Sequence, residues 1–527
     1  MPVPFATHDM LLTAIERSAG RHADRPAVTD AAGGLSYREL WRDVSSCAEV
    51  LEEVSARGES VGFVLANGAP FIAALLAAAK TCRTAVLFPA SLTQEEFRAY
   101  ARIASTRLVL TDRGGLAFLQ ACGARRRGRL LAGRLHLVQL PAPGQPAPAS
   151  CDGGTQAHDA DFIVQFTSGQ DEPSKAVARS QAAVWAEVAS IVDVLPMSPD
   201  DSSLVVTRIT HSYGLIGGTL APLSQGGQVL LPHASSGADL LGVLERSAPT
   251  VLFATPPVLR SLSSCGGRRP DFASLRACLS AGAPLPEDVG RRFEALSGKD
   301  VIQDYGATEC GTITLGIDGA SRNGRVGRPL PHIGLAIVDA DGRVLPPGTR
   351  GEVVVASVAV AKRYLPVPPE LGAADAWSAR DDVRGAGGRK AATLADGRFF
   401  TGDTGLLAPS GELILMGRGG SMIRIGADEV DPARIEAAIA SVAGVEDVAV
   451  VPAGMGSTAG VKAIVVAAGA SSDDIAAHCR TVLPADLVPG AFEFRDSIPR
   501  TPSGKLLRRA LNPLPARRPA GDQAPDA

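Results

Sequence analysis

The sequence lacks a hydrophobic run long enough to cross a membrane, and the apolar stretch 71–79 is followed closely by Lys80 and Arg83. Residues 1–6 lead into a polar, charged stretch rather than into the apolar core of a secretory signal. Neither sign of charge is in excess, because the formal net charge is −3 over 527 residues. We therefore expect neither a membrane nor a nucleic acid among the partners of this protein.

Paired cysteines are also missing. The eight cysteines are scattered singly, with no CxxC pair and no histidine at metal-binding spacing. This pattern predicts a reduced protein of the cytoplasm. Lysine is scarce as well, since it supplies seven of the 52 cationic residues and arginine supplies the rest. A lysine inside a short motif is therefore less easily explained by chance.

What the sequence does contain is an alternation of strand-like and helix-like segments, which favours parallel sheets covered by helices, an α/β fold. Segments 60–65 and 203–206 have the pattern of strands, and 70–79 and 211–223 have the pattern of helices. Between 326 and 355, short strands separated by Gly and Pro turns indicate a small β-rich subdomain. Residues 366–396, rich in Pro, Gly and Ala, predict an irregular loop.

The last hundred residues predict a separate, smaller α/β domain, with strands at 445–451 and 461–467 and helices at 435–441 and 472–483. A length of 527 residues is enough for two or three domains. We expect an N-terminal body at 1–417, a hinge at 418–421, a C-terminal domain at 422–511 and a disordered tail at 512–527.

Five short segments carry the residues suited to chemistry. In chain order they lie at 166–175, at 305–309 with 280–283 before it, at 400–405, at 417–436 and at 499–509. Together they resemble the signature set of the superfamily that includes acyl-CoA synthetases, luciferases and peptide-synthetase adenylation domains. The resemblance implies an adenylate-forming enzyme that uses ATP and Mg²⁺, with a mobile C-terminal lid and the active site between the lid and the body.

The first segment resembles the loop that holds the ATP phosphates through backbone N–H groups and hydroxyls. Four residues match the family pattern: Thr167, Ser168, Gly169 and Lys175. The middle departs from it, with Gln170 and Asp171 in place of hydroxyls, Glu172 in place of Gly and Ser174 in place of Pro. A polar surface turn is the alternative interpretation of this segment taken alone.

The second segment implies a stacking partner for adenine in Tyr305, a hydrogen bond to the α-phosphate from Thr308, and a Mg²⁺ ligand in Glu309. Small residues would let the backbone pass close to the nucleotide. They are Gly282, Ala283 and Gly306.

The third and fourth segments imply contacts to the ribose. Asp403 would accept hydrogen bonds from both ribose hydroxyls, and Arg418 would make a second contact. The family's hinge residue is Gly420 here, and Ala427 stands where the family usually has the second Gly of a turn that lines the path of the thiol. A β-turn Asp and a domain linker are the alternative interpretations.

The fifth segment implies that Lys505 bridges the substrate carboxylate and the α-phosphate. A basic tail that binds an anion is the alternative. His211, in the segment 210–214, matches the acyl pocket of acyl and aryl ligases. Amino-acid-activating relatives carry an Asp there, and the sequence has no acid near His211, which argues against an α-amino acid. A structural histidine at a helix start is the alternative for His211.

The expected substrate is therefore a small-molecule acyl or aryl acid, activated to its adenylate with release of pyrophosphate. The catalytic residues are expected to be Lys505, His211 and Thr308. Coenzyme A is the expected acceptor of the acyl group. Two alternatives stay open: transfer to a carrier-protein thiol or another small nucleophile, and a catalytically degenerate homologue that binds nucleotide. The altered loop at 170–174 is the sequence feature that supports the second of these.

Overall fold

The computed structural model describes residues 11–90, 92–141, 160–167, 175–234, 236–265, 271–317, 324–366, 393–395, 397–418, 423–425, 428–430, 432–453, 460–484, 487–500, 506 and 511. These residues fall into two compact units, one up to residue 418 and one from residue 423 onward. Within these ranges, every helix is too short or too polar to span a bilayer.

The larger unit contains helices and strands in alternation. Its helices are α1 Leu11–Arg21, α2 Tyr37–Val54, α3 Ala69–Lys80, α4 Gln94–Ile103, α5 Arg113–Ala121, α6 Gln181–Val194, a π-helix Tyr213–Leu220, α7 Ala221–Ser224, α8 Gly237–Ser247, α9 Pro256–Ser264 and α10 Glu287–Ser297, with a 3₁₀ turn at Leu131–Gly133. Its first strands are β1 Pro26–Asp30, β2 Gly33–Ser36, β3 Ser60–Val64, β4 Thr84–Leu87, β5 Leu108–Thr111, β6 Arg125–Leu130, β7 Leu135–Gln139, β8 Asp161–Phe166, β9 Ala176–Ser180, β10 Ser202–Val205 and β11 Gln228–Leu230. The others are β12 Val251–Ala254, β13 Ala277–Ser280, β14 Val301–Ala307, β15 Gly311–Leu315, β16 Arg325–Pro329, β17 Gly334–Val338, β18 Gly351–Ala356, β19 Arg363–Tyr364, β20 Thr393–Ala395, β21 Arg398–Leu407 and β22 Leu413–Arg418.

Two large sheets organise this unit. In the first, β14, β13, β12, β10, β11 and β1 run parallel in that order, and β15, β16, β22, β21, β18 and β17 extend it with antiparallel pairs. In the second, β8, β4, β3 and β5 are parallel, and β9 and β7 pair antiparallel at the two sides. The α/β fold with parallel sheets and a β-rich part is therefore confirmed.

The apolar pattern explains how the helices cover the sheets. Helix α3 is buried along nearly its whole length, from Ala69 to Ala79, which is why its sequence is apolar on every side. Helix α2 begins with a capping box between Ser36 and Glu39 and presents only one apolar face to the core. The position of a helix in the layers thus decides whether its sequence is amphipathic or uniformly apolar.

Two predictions of local structure need correction. The segment 211–223, expected to be one ordinary helix, is a π-helix followed by the short α7. In it the hydroxyl of Thr219 donates to the carbonyl of Gly214, five residues earlier, at 2.8 Å. Within 366–396, expected to be irregular, Thr393–Ala395 forms a strand because it pairs with β21. Residues 367–392 lie outside the described ranges.

The smaller unit contains α11 Pro432–Ala440, α12 Ser472–Val482 and strands β23 Ile423–Ile425, β24 Asp428–Val430, β25 Val445–Ala453, β26 Gly460–Ala467 and β27 Ala491–Phe494. Strand β26 lies between β25 and β27. Helix α12 begins with a capping box in which Ser471 and Asp474 exchange hydrogen bonds. This is the separate α/β domain that the sequence predicts. The hinge residues 419–421 and the tail 512–527 lie outside the described ranges, so the expected boundaries remain predictions.

A buried ion pair joins three elements of the larger unit. Arg179 on β9 and Glu187 on α6 are both fully buried, with 2.8 Å between Nη2 and Oε2. The backbone N–H of Thr312 on β15 donates to Oε1 of Glu187 at 2.9 Å. Burial raises the pKa of Glu187, and the Arg179 charge and the hydrogen bonds oppose that rise. A charge in such a place is tolerated only with its partners present.

We therefore expect Glu187→Ala to destabilise the larger unit by about 3–5 kcal/mol, because it leaves the Arg179 guanidinium buried and unpaired. The measurement is the free energy of unfolding from chemical denaturation. The matched control is Asp24→Ala, which removes the partner of Arg38 in an exposed ion pair and is expected to cost about 1 kcal/mol or less. Equal losses in the two variants would contradict the structural importance of the buried pair.

Candidate active site

The loops that carry predicted site residues lie at one edge of the first sheet. His211 follows β10, Gly282 and Ala283 follow β13, and Thr308 follows β14. These strands run parallel, so their carboxyl ends lie along the same edge. Residues almost a hundred positions apart in the sequence therefore belong to one face of the molecule.

The segment that carries His211 is fixed by two side chains from the second sheet. Asn67, which follows β3, donates to the carbonyl of Thr207 at 2.7 Å and accepts from the N–H of Ile209 at 3.1 Å. Gln165 on β8 donates to the carbonyl of Thr210 at 2.8 Å and accepts from the hydroxyl of Ser212 at 2.6 Å. The carboxyl ends of both sheets therefore meet at this segment.

Gln165 is the better placed of these two residues to control His211. Its side chain is buried, and its two partners, Thr210 and Ser212, are the immediate neighbours of His211 in the chain. Gln165 also precedes Thr167 by two residues. One buried amide thus links the start of the predicted phosphate loop to the predicted acyl pocket.

The phosphate loop is closed at its base by its own first and last residues. The N–H of Thr167 donates to the carbonyl of Lys175 at 2.9 Å, and the N–H of Lys175 donates to the Thr167 hydroxyl at 2.8 Å. These bonds continue the antiparallel pairing of β8 with β9. Residues 168–174, which include Ser168 and Gly169, lie outside the described ranges.

Tyr364 brings Lys175 and Glu309 together. The Lys175 ammonium lies 5.2 Å from the centre of the Tyr364 ring, within the range of a cation–π contact. The Tyr364 hydroxyl donates to Oε1 of the buried Glu309 at 3.0 Å. A cation and a carboxylate thus share one aromatic residue, an arrangement suited to a polyphosphate with its metal ion.

A second pair joins Tyr305 and Asp403. The Tyr305 hydroxyl donates to Oδ2 of Asp403 at 2.7 Å. Burial, with the nearby Asp403 charge as a further cause, raises the pKa of Tyr305 well above its usual value, so the phenol stays protonated and keeps donating. Asp403 lies opposite Arg418 in the β21–β22 ladder. The predicted adenine and ribose contacts therefore lie side by side.

Two positions at this edge require glycine, one for lack of space and one for its backbone conformation. A methyl group on Gly306 would lie 2.4 Å from the carbonyl oxygen of Gly311, so the backbone there requires Gly. Gly282 has φ of +89°, a conformation that L side chains rarely adopt. Another residue at either position would therefore require the backbone to change.

Asp304 belongs to the opposite face of β14 from its neighbour Tyr305. The Thr312 hydroxyl donates to its Oδ2 at 3.1 Å. Burial, and secondarily the Glu187 charge, raise the pKa of Asp304 to about 8. The charge of Asp304 in turn adds to the burial that raises the pKa of Tyr213, two residues after His211.

The sequence motifs do not indicate four residues of this region: Gln165, Asn67, Tyr364 and Asp304. The sequence has only five tyrosines, so the scarcity of Tyr was the one available signal for Tyr364. Asp304 is the residue just before Tyr305, and the position gave no indication of its neighbours. For Gln165 and Asn67 no signal exists, because their partners lie in the segment that follows a strand of the other sheet.

Lys505, Gly420 and Ala427 lie outside the described ranges. The next residue after Lys505, Leu506, is buried in the smaller unit and forms an isolated bridge with Arg500. Within the described ranges, no group of three or more His, Cys, Asp or Glu side chains is arranged to hold a metal ion.

Comparison with known proteins supports the resemblance. Residues 15–365 match the family model of the AMP-binding enzymes, and residues 434–505 match the model of the AMP-binding enzyme C-terminal domain. A feruloyl-CoA synthase from an Amycolatopsis species is 29% identical over 499 residues, which are 92% of this chain and 94% of the relative. A fatty acid–[acyl-carrier-protein] ligase, ScoC, from Streptomyces coeruleorubidus is 27% identical over 96% of each chain.

Among solved structures, the amide bond synthetase McbA from Marinactinospora thermotolerans matches with a TM-score of 0.76 and 25% identity, over 95% of this chain and 99% of that one. The family model covers more than half of the 527 residues. The chain therefore belongs to the AMP-binding enzyme family, and it is an adenylate-forming acid ligase.

Proposed function

We propose that this enzyme converts an acyl or aryl acid, not an α-amino acid, into its acyl-adenylate and then transfers the acyl group to the thiol of coenzyme A. The observation that carries the proposal is the hydrogen bond between Tyr305 and Asp403, because it joins two distant motifs at the edge where the acyl segment also lies. The relatives include enzymes that are named for coenzyme A and for a carrier protein as acceptors.

At the nucleotide end, Tyr305 presents an aromatic face to adenine, and Asp403 and Arg418 hold the ribose. Thr167, Ser168, Gly169 and Lys175 hold the phosphates, and Gly282, Ala283 and Gly306 allow the nucleotide to approach. Thr308 donates a hydrogen bond to the α-phosphate. Tyr364 supports this arrangement because it contacts both Lys175 and Glu309.

A magnesium ion fits the residues present. Mg²⁺ is usually held by one or two carboxylates together with substrate phosphates, and not by a cage made of protein alone. Glu309 supplies a hard, buried carboxylate, and its hydrogen bond from Tyr364 fixes its orientation. When bound, the ion would neutralise phosphate charge. The protein's own part is to hold that carboxylate toward the phosphates.

The reaction has two steps. A carboxylate oxygen of the acid attacks the α-phosphorus of ATP, and the bond to the bridging oxygen breaks, so that pyrophosphate leaves with its electron pair. Lys505 neutralises the negative charge that develops, and His211 lines the acid's site. The thiol sulfur, as thiolate, then attacks the acyl carbonyl, and AMP leaves. The lid rotates about 418–421 between the steps.

A carrier-protein thiol is the second candidate acceptor, supported by the similarity to a carrier-protein ligase. An amine is the third, supported by the similarity to an amide bond synthetase. We also propose a reducing, cytoplasmic setting, supported by the free state of the seven described cysteines.

The testing experiment measures pyrophosphate release over a panel of carboxylic acids, first alone and then with coenzyme A. We expect release with one class of acyl or aryl acid and thioester formation when coenzyme A is added. Release without a thioester would direct the search to a carrier protein or an amine. No release with any acid would favour the degenerate homologue and contradict the proposal.

Lys505→Ala is expected to lower adenylate formation by about 10²–10³-fold and to spare thioester formation from a supplied acyl-adenylate. The reason is that Lys505 acts only on charge that develops at the α-phosphate. The two half-reactions are measured separately by pyrophosphate release and by thioester yield. Lys462→Ala, a lysine of the same unit paired with Glu493, is the control and should leave both steps unchanged. Equal losses in both steps of a folded Lys505 variant would contradict a role limited to the first.

Gln165→Leu is expected to reduce kcat/KM for the acid by about tenfold, because two hydrogen bonds that fix the His211 segment are lost. The KM for ATP should change little. The kcat/KM of Gln165→Glu should lie between that of the parent enzyme and that of Gln165→Leu, since the glutamate keeps the acceptor for Ser212. Gln120→Leu, on the exposed side of α5, is the control. If the KM for ATP rises as much as that for the acid, Gln165 supports the whole site and not the acyl segment alone.

A further inference from the structure

We propose that a cleft on the side of the larger unit opposite the candidate active site is a second ligand site, which binds an organic anion with a flat apolar body. The cleft has a volume of about 360 Å³, within the range of small-molecule sites. Helices α1, α6 and α7 form its walls. The proposal concerns binding alone and does not depend on the proposed reaction.

The cleft lies at the amino ends of parallel strands of the first sheet. Arg21 and His22 precede β1, Val192 precedes β10, and Gln225 precedes β11. These three strands are parallel neighbours, so their amino ends lie along one edge of the sheet. His211, by contrast, follows the carboxyl end of β10. An occupant of the cleft is therefore separated from the candidate active site by the length of these strands.

One face of α1 supplies positive charge to the cleft. Arg17 and Arg21 lie four residues apart, so both side chains belong to the face on which Ser18 is buried. Two cations at this spacing repel each other, and an anion in the cleft would offset that repulsion. Among the described residues that line the cleft, none is Asp or Glu. A guanidinium group suits a carboxylate or a phosphate, because its N–H groups can bind two oxygens at once.

One face of α6 supplies an apolar wall. Trp185, Ala189 and Val192 follow each other at intervals of four and three residues, which is the spacing of a single helix face. Trp185 is half-buried, so part of its ring is open to the cleft. An aromatic face beside two guanidinium groups matches a flat body that carries an anionic group.

Contacts between α1 and the end of α7 hold the floor of the cleft. The Ser18 hydroxyl donates to the carbonyl of Ser224 at 2.9 Å. The His22 ring lies against Gly226, since a methyl group on that glycine would lie 2.5 Å from Cδ2 of His22. The Gln225 side chain is fixed by the hydrogen bond that its Nε2 donates to the Ser224 hydroxyl at 3.0 Å. The cleft is therefore formed before a ligand arrives, which lowers the entropic cost of binding.

Arg21 also has a structural explanation, because a cation in the last turn of a helix interacts favourably with the helix dipole. Arg102 occupies the same position in α4. Both residues are exposed, but Arg21 lines the cleft and Arg102 does not. Arg102 therefore provides a matched control for a role of Arg21 in binding.

The test titrates the full-length protein with AMP, with benzoate and with inorganic phosphate, and follows tryptophan fluorescence. We expect AMP or benzoate to give a saturable change that is absent in Trp185→Phe. Arg21→Gln should raise the Kd for that probe by about 10- to 100-fold, because charge-assisted hydrogen bonds are lost, and Arg102→Gln should leave it unchanged. Tighter binding of AMP than of benzoate assigns the cleft to nucleotides, and the reverse order assigns it to aromatic acids.

Two further variants separate this cleft from the candidate active site. Asp403→Ala removes the predicted ribose contact, so it should weaken AMP binding at the catalytic edge and keep the Trp185 signal. Ala189→Phe places a large side chain in the cleft and should abolish the signal although every charge is kept. Arg21→Gln should release pyrophosphate at the rate of the parent enzyme. A parent enzyme that binds a probe in the cleft but releases no pyrophosphate would contradict only the proposed function.

Four results would overturn the inference. One is the lack of a saturable change with every probe. Another is an equal loss of affinity in Arg21→Gln and Arg102→Gln, which would indicate a general effect of surface charge. The third is loss of the Trp185 signal in Asp403→Ala, which would place the ligand at the catalytic edge. The fourth is binding of inorganic phosphate as tight as that of AMP and benzoate, which would show that the flat body contributes nothing.

Discussion

The geometry of the larger unit depends on one buried charge that must be paired. Glu187 lies fully buried on α6, and its carboxylate takes the Arg179 guanidinium on one side and the Thr312 N–H on the other. Because an unpaired ion in this position would cost several kcal/mol, helix α6, strand β9 and strand β15 cannot shift independently. The turn at 308–310, which carries Thr308 and Glu309, leads directly into β15 and is held in place with it.

The same ion pair also affects the pKa values of neighbouring groups. The Glu187 charge is a secondary cause of the raised pKa of Asp304, after burial. Burial, with Arg179 as the secondary cause, lowers the pKa of His332 to about 3, so that His332 stays neutral. Around the ion pair, therefore, the fold keeps further charge to a minimum. Asp304, which is half-buried, belongs to the same cluster.

A second constraint comes from the way in which the two sheets meet. Gln165 lies on a strand of the second sheet, and Asn67 lies in the loop after another strand of that sheet. Both form hydrogen bonds to the segment 207–212, which follows a strand of the first sheet. Backbone carbonyls and N–H groups in such a place need partners, and the two amide side chains provide them. The position of His211 therefore depends on residues more than forty positions away in sequence.

Much of the fold could be predicted from the sequence, because the distribution of apolar residues along a segment reflects its burial directly. The strand at 60–64 and the helix at 69–80 are examples, since burial on all sides requires apolar residues throughout. The π-helix at 213–220 could not be predicted. Residues 214–220 are all buried, so the apolar pattern there does not reveal the helical period, and the bond from Thr219 to Gly214 becomes visible only in the structure.

For the site, the sequence by itself determined the order and chemical type of the residues. They are a loop with hydroxyl side chains and a lysine, the Tyr305 to Glu309 segment, Asp403, and Lys505 near the end of the chain. Those short segments act through their own backbone and side chains, so a linear pattern is sufficient to recognise them. Only the tertiary structure decided the places of Tyr364, Gln165 and Asp304, because each acts through a partner in another segment of the chain. Contacts of that kind depend on which strands are neighbours and on which face a side chain lies. Neither can be inferred from a short stretch of the sequence.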